Sequence, residues 1–76
     1  MNTTFLLLAK YDKPRLGMDE IADLMGVSID TARNQMYSGR LPIPTYKEGG
    51  RVFADIRDVA EYLDKMRETA RTNAGL

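Results

Sequence analysis

The sequence predicts a mainly α-helical domain with one small β-hairpin, and three observations carry that class. Apolar residues recur at helical spacing from Met18 to Met25 and again from Ile56 to Met66, each time with carboxylates in the first turn, where they suit the helix dipole. Gly26 and Ser28, a helix-ending residue and a strong N-cap, stand on either side of Val27, which marks a sharp corner between two helices. Two β-prone runs flank Glu48-Gly49-Gly50, whose glycines supply the positive φ that a hairpin loop needs.

Taken in order, the segment Thr3 to Tyr11 is too brief for its period to separate a short helix behind a Thr cap from a strand, and helix is the reading adopted. The first periodic helix has Met18, Ile21, Ala22 and Leu24-Met25 on its apolar side, Asp19 and Glu20 in its first turn, Gly17 as N-cap and Gly26 at its end. After Ser28 a second helix should run from Ile29 to Ser38, with Ile29, Ala32 and Met36 apolar, until Gly39 stops it. Leu41-Pro42-Ile43-Pro44 reads as an extended linker, because two prolines forbid helix. Thr45-Tyr46-Lys47 and Arg51-Val52-Phe53 are the hairpin strands. Asp55 then caps the last helix, with Asp58 at the capping-box position and Ile56, Val59, Ala60, Leu63 and Met66 on its apolar stripe. Thr69 to Leu76 reads as a fraying polar tail. The whole is one domain over 1–76: an N-terminal extension at 1–16, a helix-turn-helix at 17–39, a wing at 45–54, a C-terminal helix at 55–69 and a tail at 70–76.

Composition narrows the chemistry. The 76 residues are 43% hydrophobic and 29% charged, an ordinary globular balance. Cys, His and Trp are absent, which removes disulfides, thiolate or imidazole metal sites, and the usual nucleophile and general base. The spacing of Asp55 and Asp58 suits a cap rather than acid–base catalysis, and Gly49-Gly50 lacks the residues of a phosphate loop. No enzyme activity, cofactor or metal is expected. The run Phe5-Leu6-Leu7-Leu8-Ala9 is too short to span a bilayer, so the expectation is a soluble, cytoplasmic protein with no membrane partner. The same run would suit either core cover or a hydrophobic dimer seam.

Eleven basic and eleven acidic residues cancel, but they are sorted along the chain. Residues 1–18 carry +2, residues 19–30 carry −4, residues 31–51 carry +3 and residues 52–76 carry −1. Such sorting can place a basic and an acidic face on one domain, or can be an ordinary fluctuation in a short chain.

Two short helices joined through Gly26-Val27-Ser28 form the helix-turn-helix pattern, in which the second helix enters the major groove of DNA. With Ala32 and Met36 turned to the core, Ile29, Asp30, Arg33, Asn34 and Tyr37 lie on the other faces. Arg33 can fork onto guanine, Asn34 can pair with adenine and Asp30 can accept from a cytosine amine. An exposed Ile29 would need a thymine methyl or a neighbouring helix to cover it. Ser28, Thr31, Tyr37 and Arg40 suit phosphate oxygens, which set register without reading sequence. The hairpin, with Lys47, Gly49, Gly50 and Arg51 at its tip, looks like a basic wing that rides the backbone or dips into the minor groove; a plain solvated hairpin is the alternative. The pair of helices could likewise be a simple packing unit, but the pair and the wing together are poorly explained by packing alone.

Several stretches carry a family resemblance: Met18-Asp-Glu-Ile-Ala-Asp-Leu-Met-Gly-Val-Ser28, then Thr31-Ala-Arg33, Ser38-Gly-Arg-Leu-Pro42, Gly50-Arg-Val-Phe53 and Asp55-Ile-Arg-Asp-Val-Ala-Glu-Tyr-Leu63. Over 16–66 they resemble the small winged helix-turn-helix proteins of the excisionase, AlpA and MerR-like superfamily. With Thr4-Phe-Leu-Leu-Leu-Ala-Lys-Tyr11 included, the chain is similar to the pyocin activator (PrtN) family. The resemblance implies a sequence-specific DNA-binding regulator of phage or bacteriocin type, activator-like, with RNA polymerase as a partner; an excision factor working with an integrase is the alternative. It places the recognition helix on Ser28 to Ser38 and the wing on Tyr46 to Phe53. Two departures stand out: a recognition helix with a single Arg and an Asp, and Gly17 where a Thr or Ser cap is common. Double-stranded DNA is the expected partner, with self-association on it, because one small module covers only about 600–1,000 Å². An antitoxin-like or adaptor module that binds protein instead is the reading from a different class.

Overall fold

The structure, a computed structural model, describes residues 2–74. Helix α1 (Thr3–Tyr11) opens the chain, which resolves the ambiguous segment as helix. Its cap is not a Thr but Asn2, whose side-chain oxygen accepts the Phe5 N–H at 2.7 Å. The helix ends at Asp12, which takes the left-handed conformation with φ 57°.

A strand that the sequence reading did not foresee follows: β1 (Arg15–Gly17), antiparallel to the hairpin strand β3 (Arg51–Asp55), with Leu16 opposite Ala54 and Gly17 opposite Phe53. Three residues are too few to display an alternation, and the partner strand is far away in sequence. The other hairpin strand, β2 (Tyr46–Glu48), pairs with β3 on the opposite side, so the sheet order is β1-β3-β2.

Between β1 and the hairpin lie α2 (Met18–Met25) and α3 (Ile29–Tyr37). Helix α2 starts without a capping side chain, since Gly17 has none; instead the Glu20 carboxylate accepts the Gly17 N–H at 3.1 Å and is itself held by Lys13 at 2.6 Å. A reciprocal bond thus stands in for the Thr or Ser cap. Helix α4 (Ile56–Ala74) completes the fold. It begins on the Asp55 cap, whose carboxylate accepts the Arg57 N–H at 2.8 Å, and no bond from Asp58 closes a capping box among the described residues. The helix continues well past the expected end at residue 69: residues 70–74 are helical, and only 75–76 of the expected tail lie outside the described residues. Four helices and a three-stranded antiparallel sheet in this order form a winged helix-turn-helix.

The core gathers one to three buried side chains from every element except β2. Its largest fully buried members are Leu16, Ile21, Ile43 and Val59. Burying each such side chain stabilises the fold by about 1.5–3 kcal/mol. Ile43 sharpens the linker reading: flanked by Pro42 and Pro44, both exposed, it is only 2% exposed and pins the extended linker to the body. Helix α1 runs antiparallel along the first half of α4, because Thr3 at its start donates to Asp64 while the Ile56 N–H donates to Pro14 O at 2.9 Å. From Asp64 onwards every described residue of α4 is exposed, and the molecule is correspondingly long, 44 × 28 × 17 Å. Among the described residues no helix is long and apolar enough to cross a membrane.

Candidate nucleic-acid interface

The corner between α2 and α3 is built from local chemistry. Gly26 adopts φ 74°, and the Val27 N–H reaches back to Ala22 O at 3.0 Å, the bond that closes a helix through a left-handed residue. Half-buried Val27 packs against the core between the two helices. Ser28 then accepts the Thr31 N–H on its hydroxyl at 3.1 Å and donates the hydroxyl proton to Thr31 Oγ1 at 2.9 Å. Both hydroxyls are therefore partly committed to the cap, which leaves the Thr31 O–H as the free donor of the pair.

Along α3, Ala32 is fully buried, while Asp30, Thr31, Arg33, Asn34 and Tyr37 are exposed, Tyr37 at 79%. The polar flank faces outward as the helical period requires. Ile29 is the exception to the expected outward set: it is half-buried and packs against the core cluster, so no thymine methyl is needed to cover it. It lies three residues before Ala32, which puts the two on adjoining rather than opposite sides of the helix. After α3, Gly39 turns the chain at φ 73°, and the Arg40 and Leu41 N–H groups both bond to Gln35 O, at 2.8 and 3.1 Å. The Arg40 Nε donates to Ser38 Oγ at 3.0 Å, which holds its guanidinium at the C-terminal end of α3.

In the wing, Gly49 and Gly50 both have positive φ, 58° and 78°, the signature of a tight two-residue hairpin turn. A Cβ at either would meet nothing within 4 Å, so the requirement for glycine is conformational and the tip is open to solvent. The wing is braced from β1. The Arg15 guanidinium carbon sits 3.8 Å from the Phe53 ring centroid, its Nη1 lies 3.1 Å from Glu48 Oε2, and the Phe53 ring lies 6.1 Å from Tyr46 across the strands. Tyr46 first, and Glu48 after it, hold the Arg15 pKa above its ordinary value. Tyr46 was not among the expected site residues, and Arg15, which the sequence offers as a phosphate contact, is instead held on Glu48 and Phe53, a role that depends on a strand pairing no local pattern signals.

A groove of about 660 Å³ lies between α3 and the wing. Arg33 and Tyr37 enter it from α3, and Lys47, Gly50 and Arg51 from the hairpin. Half-buried Ile29 and Met36 supply its apolar wall. Arg33, Lys47 and Arg51 take part in none of the ion pairs found among the described residues, whereas Lys13 and Arg15, on the same groove, are paired with Glu20 and Glu48. Asp19 and Glu20 also line it, so the groove holds acids of the 19–30 block beside cations of the 31–51 block. Ser28, Asp30, Thr31, Asn34, Arg40 and Gly49 lie outside the groove: Asp30, Thr31 and Asn34 on the exposed flank of α3, Ser28 and Arg40 at its two ends, and Gly49 at the hairpin tip. No group of three or more metal-ligating side chains occurs among the described residues.

No curated protein and no solved structure matches the chain. A family profile does: the one described as "Pyocin activator protein PrtN" covers residues 3–70, from the first turn of α1 to the exposed half of α4 and including the whole α3–wing groove. The chain belongs to the pyocin activator family, a regulatory family of phage and bacteriocin type rather than a known class of enzyme.

Proposed function

We propose that this protein is a sequence-specific DNA-binding transcriptional regulator, activator-like, that seats α3 in the major groove and lays the β2–β3 wing on the adjacent backbone or minor groove. The observation that carries this reading is one groove shared by three cations without an acidic partner, Arg33, Lys47 and Arg51, beside a capped helix whose outward flank is polar. An uncompensated cation on a neutral protein is suited to a phosphate, and Arg33 at the edge of an exposed helix is suited to the O6/N7 pair of guanine. Asp30 and Asn34, on the outward flank, would read cytosine and adenine; Ser28 and Thr31 at the start of α3, Arg40 at its end and Gly49 at the wing tip would set the register on phosphates.

Membership of an activator family favours transcription, with RNA polymerase as the protein partner, over the excision role that the same architecture can serve. Self-association on DNA fits the small footprint of one module. The test is a mobility-shift titration at low and at moderate salt, with the DNA upstream of the chain's own gene as probe and a scrambled duplex as competitor. Retention of the upstream probe against the scrambled one supports the proposal. Equal retention of both removes the sequence specificity, and retention of neither at low salt removes the DNA reading in favour of a protein-binding module.

A further inference from the structure

Helix α1 is apolar on nearly every side. Leu7 faces the core, yet Phe5, Leu6 and Leu8 remain 60%, 53% and 39% exposed, and the first charge of the helix comes only at Lys10. A helix that is apolar all round is ordinarily buried. Met66, 52% exposed on the helix packed against α1, adds to the apolar surface that these side chains present to solvent.

A second observation says what covers it. On α4, Val59, Leu63, Met66 and Ala70 fall on a single stripe at helical spacing. Val59 is buried and Leu63 half-buried in the body, but Met66 and Ala70 carry the stripe onward into solvent. The bond from Thr3 to Asp64 shows where the cover supplied by α1 stops. Residues 65–74 extend beyond it for about 15 Å, and the nine residues of α1 measure about 14 Å. The uncovered stretch of α4 is as long as a second α1.

We infer that a second copy of this chain occupies it: two chains pair about a two-fold axis near the α1 N-termini, each α4 overhang lying across the outer face of the other copy's α1. Each α1 is then enclosed between two α4 helices, its inner face on its own and its outer face, Phe5 and Ala9, on the Met66–Ala70 stripe of the other copy. The contact is isologous, as a closed pair requires. The contact pairs the apolar face of α1 with the Met66–Ala70 stripe, below the ~800 Å² per partner of a standard interface, so the pair should be a weak one. No residue of α1 or α4 lines the α3–wing groove, so pairing leaves that groove open and stands apart from the DNA reading.

The test uses the full chain without DNA. In sedimentation equilibrium at up to millimolar concentration the protein should approach twice 8.6 kDa. Phe5→Glu and Met66→Glu, at side chains already more than half exposed, should keep the far-ultraviolet helix signal and weaken pairing by about tenfold or more. The natural sequence has no cysteine, so a second, independent measurement is clean. A chain carrying both Ala9→Cys and Ala70→Cys should form a covalent dimer on mild oxidation, and neither single variant should. A monomeric wild type, a dimer unmoved by both Glu variants, or a double-cysteine chain that stays uncrosslinked overturns the inference.

Discussion

Helices α1 and α3 are built to the same plan and finished differently. Each is nine residues long, each is capped by a short polar side chain, Asn2 or Ser28, and each gives the core a single buried residue, Leu7 or Ala32. The outer faces diverge: Phe5, Leu6 and Leu8 on α1, against Asp30, Arg33, Asn34 and Tyr37 on α3. Neither helix could persist alone, since isolated helices under about 12–15 residues are marginal in water. Both are held by one small core, so the chemistry of each outer face is free to serve a partner. Donors, acceptors and an aromatic ring suit nucleotides; branched apolar side chains suit another protein surface.

The largest effect should come from the core that both helices share. Ile43→Ala removes a side chain that is 2% exposed, at a cost of about 2–5 kcal/mol. That is a large fraction of the stability of a domain this size, so thermal unfolding followed by circular dichroism should drop steeply and both helices should melt together. If α3 melts while α1 survives, the two do not depend on one core. Next in size, Arg33→Ala should cost about 1–3 kcal/mol of binding to the upstream duplex and narrow the gap between that duplex and a scrambled one. Phe5→Ala should leave binding by a single chain unchanged. The caps provide a matched pair: Ser28→Ala and Asn2→Ala should each cost about 0.5–2 kcal/mol of stability, but only the first should also weaken DNA binding.

The smallest effect is a pH dependence at the start of α4. The Asp55 carboxylate accepts the Arg57 guanidinium at 2.9 Å on both oxygens and the Arg57 N–H at 2.8 Å, and these bonds lower its pKa from 3.8 to about 2. A carboxyl with a depressed folded-state pKa stabilises the fold above its unfolded value and loses that contribution as pH falls through its folded value. Stability should therefore decline between about pH 4 and pH 2, and the decline should be shallower in Asp55→Asn, checked by urea titrations across that window. An identical decline in both proteins would assign the acid sensitivity elsewhere.

How much of this was legible in the residues depends on how local each signal is. The corner at Gly26-Val27-Ser28, the turn at Gly49-Gly50 and the Asp55 cap rest on neighbours within a few positions, and each stands in the structure as its residues imply. Strand β1 was not legible: Arg15-Leu16-Gly17 has no alternation to show, and its pairing with Phe53-Ala54-Asp55 is a tertiary fact. Much of the candidate site inherits that gap. The outward flank of α3 follows from the period about Ala32, but the opposite wall of the groove is the hairpin that β1 braces through Arg15, Phe53 and Glu48. The length of α4 escaped for another reason. Beyond Met66 its sequence is polar and lightly patterned, so composition suggested a tail where the backbone continues as helix.

The most direct measurement is the salt dependence of binding to the upstream duplex, read by fluorescence anisotropy for the wild type and for Arg51→Ala. With about three phosphate contacts per chain, from Arg40, Lys47 and Arg51, the log–log slope should be roughly −3 per chain, and losing the wing arginine should bring it to about −2. An absence of binding at low salt, or a slope the same with and without Arg51, would contradict the assignment of α3 and the wing to DNA.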